Sequence, residues 1–307
     1  MRLVIVGSVA YDTIATAQAT RERILGGSAS YAGLAASRFA PAGIVAVVGD
    51  DFAREHLELL RAHGVDVSGV ERLAGKTFFW SGVYSEDFCE RKTIETQLNV
   101  FRNFAPKLSC HFKETEYLFL ANIQPELQLQ VLDQVARPRF VACDTMNLWI
   151  DTRLDALKEV FRRVDLATVN DEEARLLTGL RNIHRAAEAI LAMGPKYLII
   201  KRGEHGSALY GEGRMFALPA YPVERVVDPT GAGDSFAGGL LGALAKTNRT
   251  DFDGLKAGVV AGTLVASFTV EDFSVARLCA IGDADLRERA GRFAACTHWD
   301  DVRDLFA

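Results

Sequence analysis

The segment Asp228-Pro229-Thr230-Gly231-Ala232-Gly233-Asp234-Ser235 sets a turn-forming Asp-Pro pair, two glycines and a second acid ahead of a helical pattern. Val226 and Val227 before it read as the end of a strand, and Phe236, Leu240 and Leu244 recur at i, i+4 and i+8, which predicts a helix over 235–246. The first amides of a helix have no partner inside it, and its dipole is positive there, so such an entrance attracts anions. Gly231 and Gly233 can adopt backbone angles closed to other residues, letting amides converge on phosphate oxygens. Asp234 at the helix start would be kept ionised and weakly basic. A weak base suffices for moving a phosphoryl group to a hydroxyl, because the loose transition state depends mainly on positioning and charge stabilisation. The plainer reading is a tight turn followed by a helix cap. Gly238 and Gly239, poor helix formers inside the predicted helix, indicate close approach of another backbone or a ligand.

Other residues with chemical potential follow predicted strands. Asp12 lies just past the first strand, where open α/β sheets place ligands, or else in an exposed turn. Gly26-Gly27 opens a helix of small residues and lets a ligand touch backbone, or is a simple loop pair. Asn170-Asp171-Glu172-Glu173 reads from its residues as an N-cap with acids in the first helical turn. Lys201, heading Lys201-Arg202-Gly203-Glu204-His205-Gly206, either approaches phosphate or is a solvated strand end. Asp144 ends another strand and is assigned to the phosphate or metal region. The six histidines show no ligand spacing, so no zinc site is expected. There is no G-x-x-x-x-G-K-[ST], and no G-x-G-x-x-G after the first strand, which argues against a nicotinamide-dependent dehydrogenase.

The elements needed to hold these residues alternate along the chain. Strands are predicted at 3–6, 44–48, 117–121, 140–143, 166–169 and 197–201. Helices are predicted at 28–39, 52–63, 126–136, 154–163, 171–178 and 183–193. Alternation implies a mostly parallel sheet flanked by helices. Residues 9–25 and 77–103 break the rhythm; Thr77–Tyr84 and Thr93–Phe101 mix β formers with polar residues and predict a small projecting sheet. With no proline-rich linker, residues 1–307 are expected to form one domain. The chain is 49% apolar with a formal charge of −5 and no basic stripe, so neither nucleic acid nor a membrane is an expected partner. Five scattered cysteines (Cys89, Cys110, Cys143, Cys279, Cys296) are read as small buried apolar residues, consistent with a reduced cytoplasm.

Asp228–Gly239 closely resembles the C-terminal signature of the ribokinase-like (PfkB-type) carbohydrate kinases, and supporting matches occur in order along nearly the whole chain. The resemblance implies an α/β ribokinase-like fold with a β lid from residues 9–25 and 77–103. It implies that the Gly231, Ala232 and Gly233 loop forms an anion hole with Asp234 as catalytic base. Asp12, Gly26, Gly27, Ser30 and Tyr31 would hold acceptor hydroxyls, although the family usually carries Asn where Tyr31 stands. Lys201, Gly203, Gly206 and Thr230 would lie on the nucleotide side, and Asn170 and Glu173 match an N-x-x-E motif that organises magnesium and phosphate. Asp228, the Thr230 carbonyl and residues 268–274 are candidates for a potassium site. The implied cofactors are ATP and Mg²⁺, with K⁺ bound by many members, and many members pair through the lid. The expected activity is ATP-dependent phosphorylation of a primary hydroxyl of a small sugar. The alternatives are a nucleoside kinase, with Tyr31, Phe78, Phe79, Trp80 and Phe101 as a base-stacking surface, and a non-catalytic sugar-binding or regulatory protein.

Overall fold

The computed structural model describes residues 1–88 and 90–298. In chain order its strands are β1 (Leu3–Val6), β2 (Ala10–Ala15), β3 (Thr20–Gly26), β4 (Ala42–Gly49), β5 (Val65–Leu73), β6 (Phe79–Tyr84), β7 (Arg91–Gln97), β8 (Tyr117–Leu120), β9 (Phe140–Asp144), β10 (Leu166–Asn170), β11 (Tyr197–Lys201), β12 (Ser207–Gly211) and β13 (Arg214–Leu218). Nine form one sheet in the order β13-β12-β11-β10-β9-β8-β1-β4-β5. From β5 to β11 every pairing is parallel, and β12 and β13 close one edge as an antiparallel hairpin. Strands β1, β4 and β8 are buried along their whole length, as expected where helices cover both faces. Apolar residues pack on each face of the sheet in two large clusters.

Strands β3-β2-β6-β7 make the second, smaller sheet, so the projecting lid exists. Its predicted second strand needs correction: β7 ends at Gln97, and Asn99–Asn103 is a 3₁₀ turn. The lid is tied down at its base, where Asp51 accepts from the Thr77 amide and hydroxyl, both at 2.7 Å, and pairs with Arg23 at 3.0 Å.

The helix after the glycine loop runs from Ala232 to Thr247. It starts three residues earlier than its apolar stripe indicated, because Gly231 supplies a left-handed cap (φ 78°). Val226 and Val227 are not strand; the Val227 amide instead bonds to the Val270 carbonyl at 2.8 Å. The glycines inside the helix do meet other backbones. A Cβ on Gly238 would lie 2.2 Å from the Ala32 carbonyl oxygen in helix Ser28–Ser37, and one on Gly239 3.2 Å from Gly262 Cα in helix Phe252–Thr269.

Cys143 is buried and Cys279 half-buried, but Cys110 and Cys296 are exposed, which corrects the uniform reading of the cysteines; Cys89 lies outside the described residues. Among the described residues no helix is long and apolar enough to cross a membrane.

Candidate active site

The carboxyl ends of β1, β9, β10 and β11 open on one rim, and the start of helix Ala232–Thr247 faces it. Asp234 occupies the third position of that helix and is half-buried. The Ala232 amide is used on the Pro229 carbonyl at 3.2 Å. Among the described residues the Gly231, Gly233 and Asp234 amides have no hydrogen-bond partner, so donors remain open at a dipole-positive end. Burial and the neighbouring Asp144 push Asp234 up to about 7, against the pull of Lys201 and Arg91. That is the range in which a carboxylate serves as a general base at neutral pH; the expectation of a depressed, weakly basic acid is therefore corrected, because burial and Asp144 outweigh Lys201 and Arg91.

Lys201 reaches toward this helix: a Cβ on Gly233 would lie 3.5 Å from its ammonium. Its Nζ donates to both carboxylate oxygens of Asp144, at 3.0 and 3.1 Å, and Thr168 donates to the same Asp144 Oδ1 at 2.8 Å. Lys201 is thus not a solvated strand end. Burial disfavours its charge, but Asp144, Glu173 and Asp234 outweigh this and hold its pKa above the usual lysine value.

Asn170 and Glu173 form a reciprocal cap. Asn170 Oδ1 accepts from the Glu173 amide and Glu173 Oε2 accepts from the Asn170 amide, each at 2.7 Å. Glu173 is buried and pushed up to about 7 by that burial, with Lys201 opposing and Asp144 reinforcing. In the next loop, Gly203 borders open space, whereas Gly206 is required by packing, since a Cβ there would lie 2.0 Å from the Leu218 carbonyl.

On the opposite wall, Asp12 projects from β2 and is buried. Its carboxylate lies against Gly26, where a Cβ would overlap Oδ2 at 1.9 Å, and it accepts from the Gly27 amide. Burial, then the charges of Asp228 and Asp234, push Asp12 up to about 8. The di-glycine therefore lets Asp12 reach the rim. Ser30 does not join it: its hydroxyl is buried and donates to the Gly26 carbonyl at 2.8 Å. The Tyr31 ring packs on Gly231, and its buried hydroxyl has no partner among the described residues. Burial, then Asp12, Asp228 and Asp234, raise that phenol well above its usual range. Asp228 is fully buried beneath the loop and accepts from the amides of Thr230 (2.9 Å) and Ser274 (3.4 Å). Phe268 and Thr269, named with it in the sequence, belong to a helix instead.

The lid adds residues that sequence reasoning missed. Tyr84 on β6 hydrogen-bonds Thr230 Oγ1 at 2.9 Å, so the lid touches the glycine loop. Arg91, its cross-strand partner on β7, acts electrostatically on both Asp234 and Glu173. The only signal was alternation along β6, where Trp80, Gly82 and Tyr84 share a face. Of the proposed stacking aromatics, Phe78 and Phe101 stack on each other at 5.3 Å, Phe101 continues onto Phe104, and Phe79 packs against the main core. They are packing residues; Trp80 alone of the lid set lies on the face toward the loop.

An acid beside open helix amides, a buried lysine and a lid over the rim define a ribokinase-like phosphotransferase with an alcohol as acceptor. Residues 2–279 match the model of the pfkB family carbohydrate kinases, and the chain belongs to that family. It is similar to a cytidine kinase of Thermococcus kodakarensis, 33% identical over 250 residues that span 80% of this chain and 88% of the relative. Among solved structures it is similar to the Burkholderia thailandensis nucleoside kinase in complex with inosine, with TM-score 0.79, 22% identity, and 96% and 98% of the two chains covered. A second is a putative ribokinase II of E. coli in complex with ATP and Mg²⁺, with TM-score 0.77, 20% identity, and 95% and 99% covered. At these identities the structures speak for the fold.

Proposed function

We propose that this protein transfers the γ-phosphoryl group of ATP to the primary hydroxyl of a nucleoside. The carrying observation is Asp234, pushed up to about 7 and half-buried beside the open Gly233 amide. Nucleoside takes precedence over free sugar because the cytidine kinase relative shares 33% identity along most of both chains.

Asp234 accepts the acceptor's hydroxyl proton and aims its oxygen at phosphorus. The Gly231, Gly233 and Asp234 amides donate to the equatorial phosphoryl oxygens, and Lys201, held by Asp144, adds fixed positive charge beside them. Asp12 hydrogen-bonds two vicinal hydroxyls of the ribose, accepting from both when ionised and donating one bond when protonated. Bound Mg²⁺ would neutralise charge between the phosphates. Glu173 fits it, since its Oε1 carries no hydrogen bond among the described residues, and Asn170 serves by holding Glu173 in place. The Gly203 backbone, bordering open space, is assigned to the nucleotide, with Gly206 shaping its loop and Thr230 held by Tyr84 at the phosphate end. Asp228 is buried with no cationic partner among the described residues, which fits a potassium ion beside the Thr230 carbonyl. Ile94, 61% exposed, and Leu98, 39% exposed, are the apolar residues that pairing of two copies through the lid would cover. The cytoplasm, where ATP is abundant, is the compartment we assign.

The test is coupled ADP release over cytidine, uridine, adenosine, inosine, D-ribose and D-fructose, in potassium and in tetramethylammonium buffers. A nucleoside is expected to give the highest kcat/KM, with lower rates without potassium. Turnover of the sugars alone would overturn the nucleoside reading, and no ADP release with any of them would favour a binding protein.

A further inference from the structure

Resting on the nucleoside reading, we infer that Trp80 is the platform on which the acceptor's base stacks, and thus the residue that selects nucleosides over bare sugars. Three observations place it there. Strand β6 pairs with β2 in parallel, and Asp12 is in register with Trp80. Registered neighbours point to the same face of a sheet about 4.8 Å apart. Tyr84, four residues along β6 and on the same face, touches Thr230 at 2.9 Å, so this face looks onto the glycine loop. A ribose whose vicinal hydroxyls rest on Asp12 therefore carries its C1 substituent toward the next strand, where the indole sits.

The indole is also held flat. A Cβ on Gly82 would lie 2.2 Å from Trp80 Cη2, so the missing side chain leaves the groove in which the ring lies along the sheet. Its Nε1 donates to Thr93 Oγ1 at 3.3 Å, and the Arg91 guanidinium sits 5.7 Å from its centroid. The hydrogen bond holds the ring by its edge and the cation lies over it, while the ring stays only half-buried. Ile14, Tyr84, Phe88 and Phe273 complete an apolar patch around it. A purely packing tryptophan in the same patch would be indifferent to ligand, which separates the two roles experimentally.

The experiment uses the full chain and cytidine, or whichever nucleoside of the panel above turns over fastest. Stacking on indole should quench tryptophan emission on nucleoside addition, and W80F should abolish that quench while keeping KM within about threefold, because phenylalanine also offers a π face. W80L should raise the nucleoside KM at least tenfold with a smaller change in kcat, in line with base–aromatic stacking measured by truncation. An unquenched wild type, or a folded W80L with KM within twofold of wild type, overturns the platform while leaving the nucleoside activity standing. Should W80L fail to fold, the wild-type and W80F quenching still decides. Wild type that phosphorylates no nucleoside overturns the underlying reading instead.

Discussion

At the residue scale the chemistry turns on how environment sets three carboxyls. Asp234 sits at about 7 chiefly because burial disfavours its charge. A base works only when deprotonated, so kcat/KM should rise with pH through about 7 and then level off. Asp234→Asn should lower kcat by about 10²-fold or more and remove that ascending limb, while ATP binding measured by calorimetry stays within a few fold. A variant retaining over a tenth of wild-type turnover would show that another group takes the proton. Asp234 was legible because its neighbours Gly231 and Gly233 make a pattern local in sequence. Lys201 with Asp144 was only half legible: the two are 57 residues apart, and only adjacency of β9, β10 and β11 brings them within hydrogen-bond distance.

At the scale of elements, the helix Ala232–Thr247 is the part on which the site depends. Its glycines let helices Ser28–Ser37 and Phe252–Thr269 press directly against it. Gly238→Ala would drive a methyl to 2.2 Å from the Ala32 oxygen. Such overpacking typically costs about 1–3 kcal/mol, so chemical denaturation should show a loss of that order; an unchanged midpoint would mean that the helices do not pack this way. The close approach was readable from glycines in a helical pattern, but its object was not, because a ligand and a second backbone leave the same trace. The helix start was misjudged since an apolar stripe marks only the buried turns, whereas its beginning is set by the left-handed cap at Gly231. Strand β5 went unseen because half of its residues are polar and partly solvated.

For the whole molecule, the site carries a thermodynamic burden. Asp12 is pushed to about 8, and Glu173 and Asp234 each to about 7. All three are raised above ordinary carboxyl values, so the folded form binds more protons than the unfolded chain between about pH 4 and 8. Their stabilising contribution is complete only below about pH 4 and is lost progressively as pH climbs to 7 and 8. Ligand-free protein should therefore melt at a lower temperature at pH 8.5 than at pH 5.5, and Asp12→Asn should recover several degrees at pH 8.5 and clearly fewer at pH 5.5. An identical pH dependence in that variant, followed by scanning calorimetry, would show that Asp12 is not under this strain. The sheet's alternating plan was readable from periodicity, while the hairpin β12–β13 was hidden in short segments flanking the glycine-bearing loop.

Asp12 and Trp80 ride on the lid, whereas the glycine loop is anchored in the core by three packed helices. Responsibility is thus split between an appendage that meets the alcohol and a foundation that meets the phosphate. Randomising the inward positions of β6 and β7 other than Tyr84 and Arg91, which reach the glycine loop and its acids, should retarget this catalyst to new alcohols, since nothing in the donor half would have to be rebuilt.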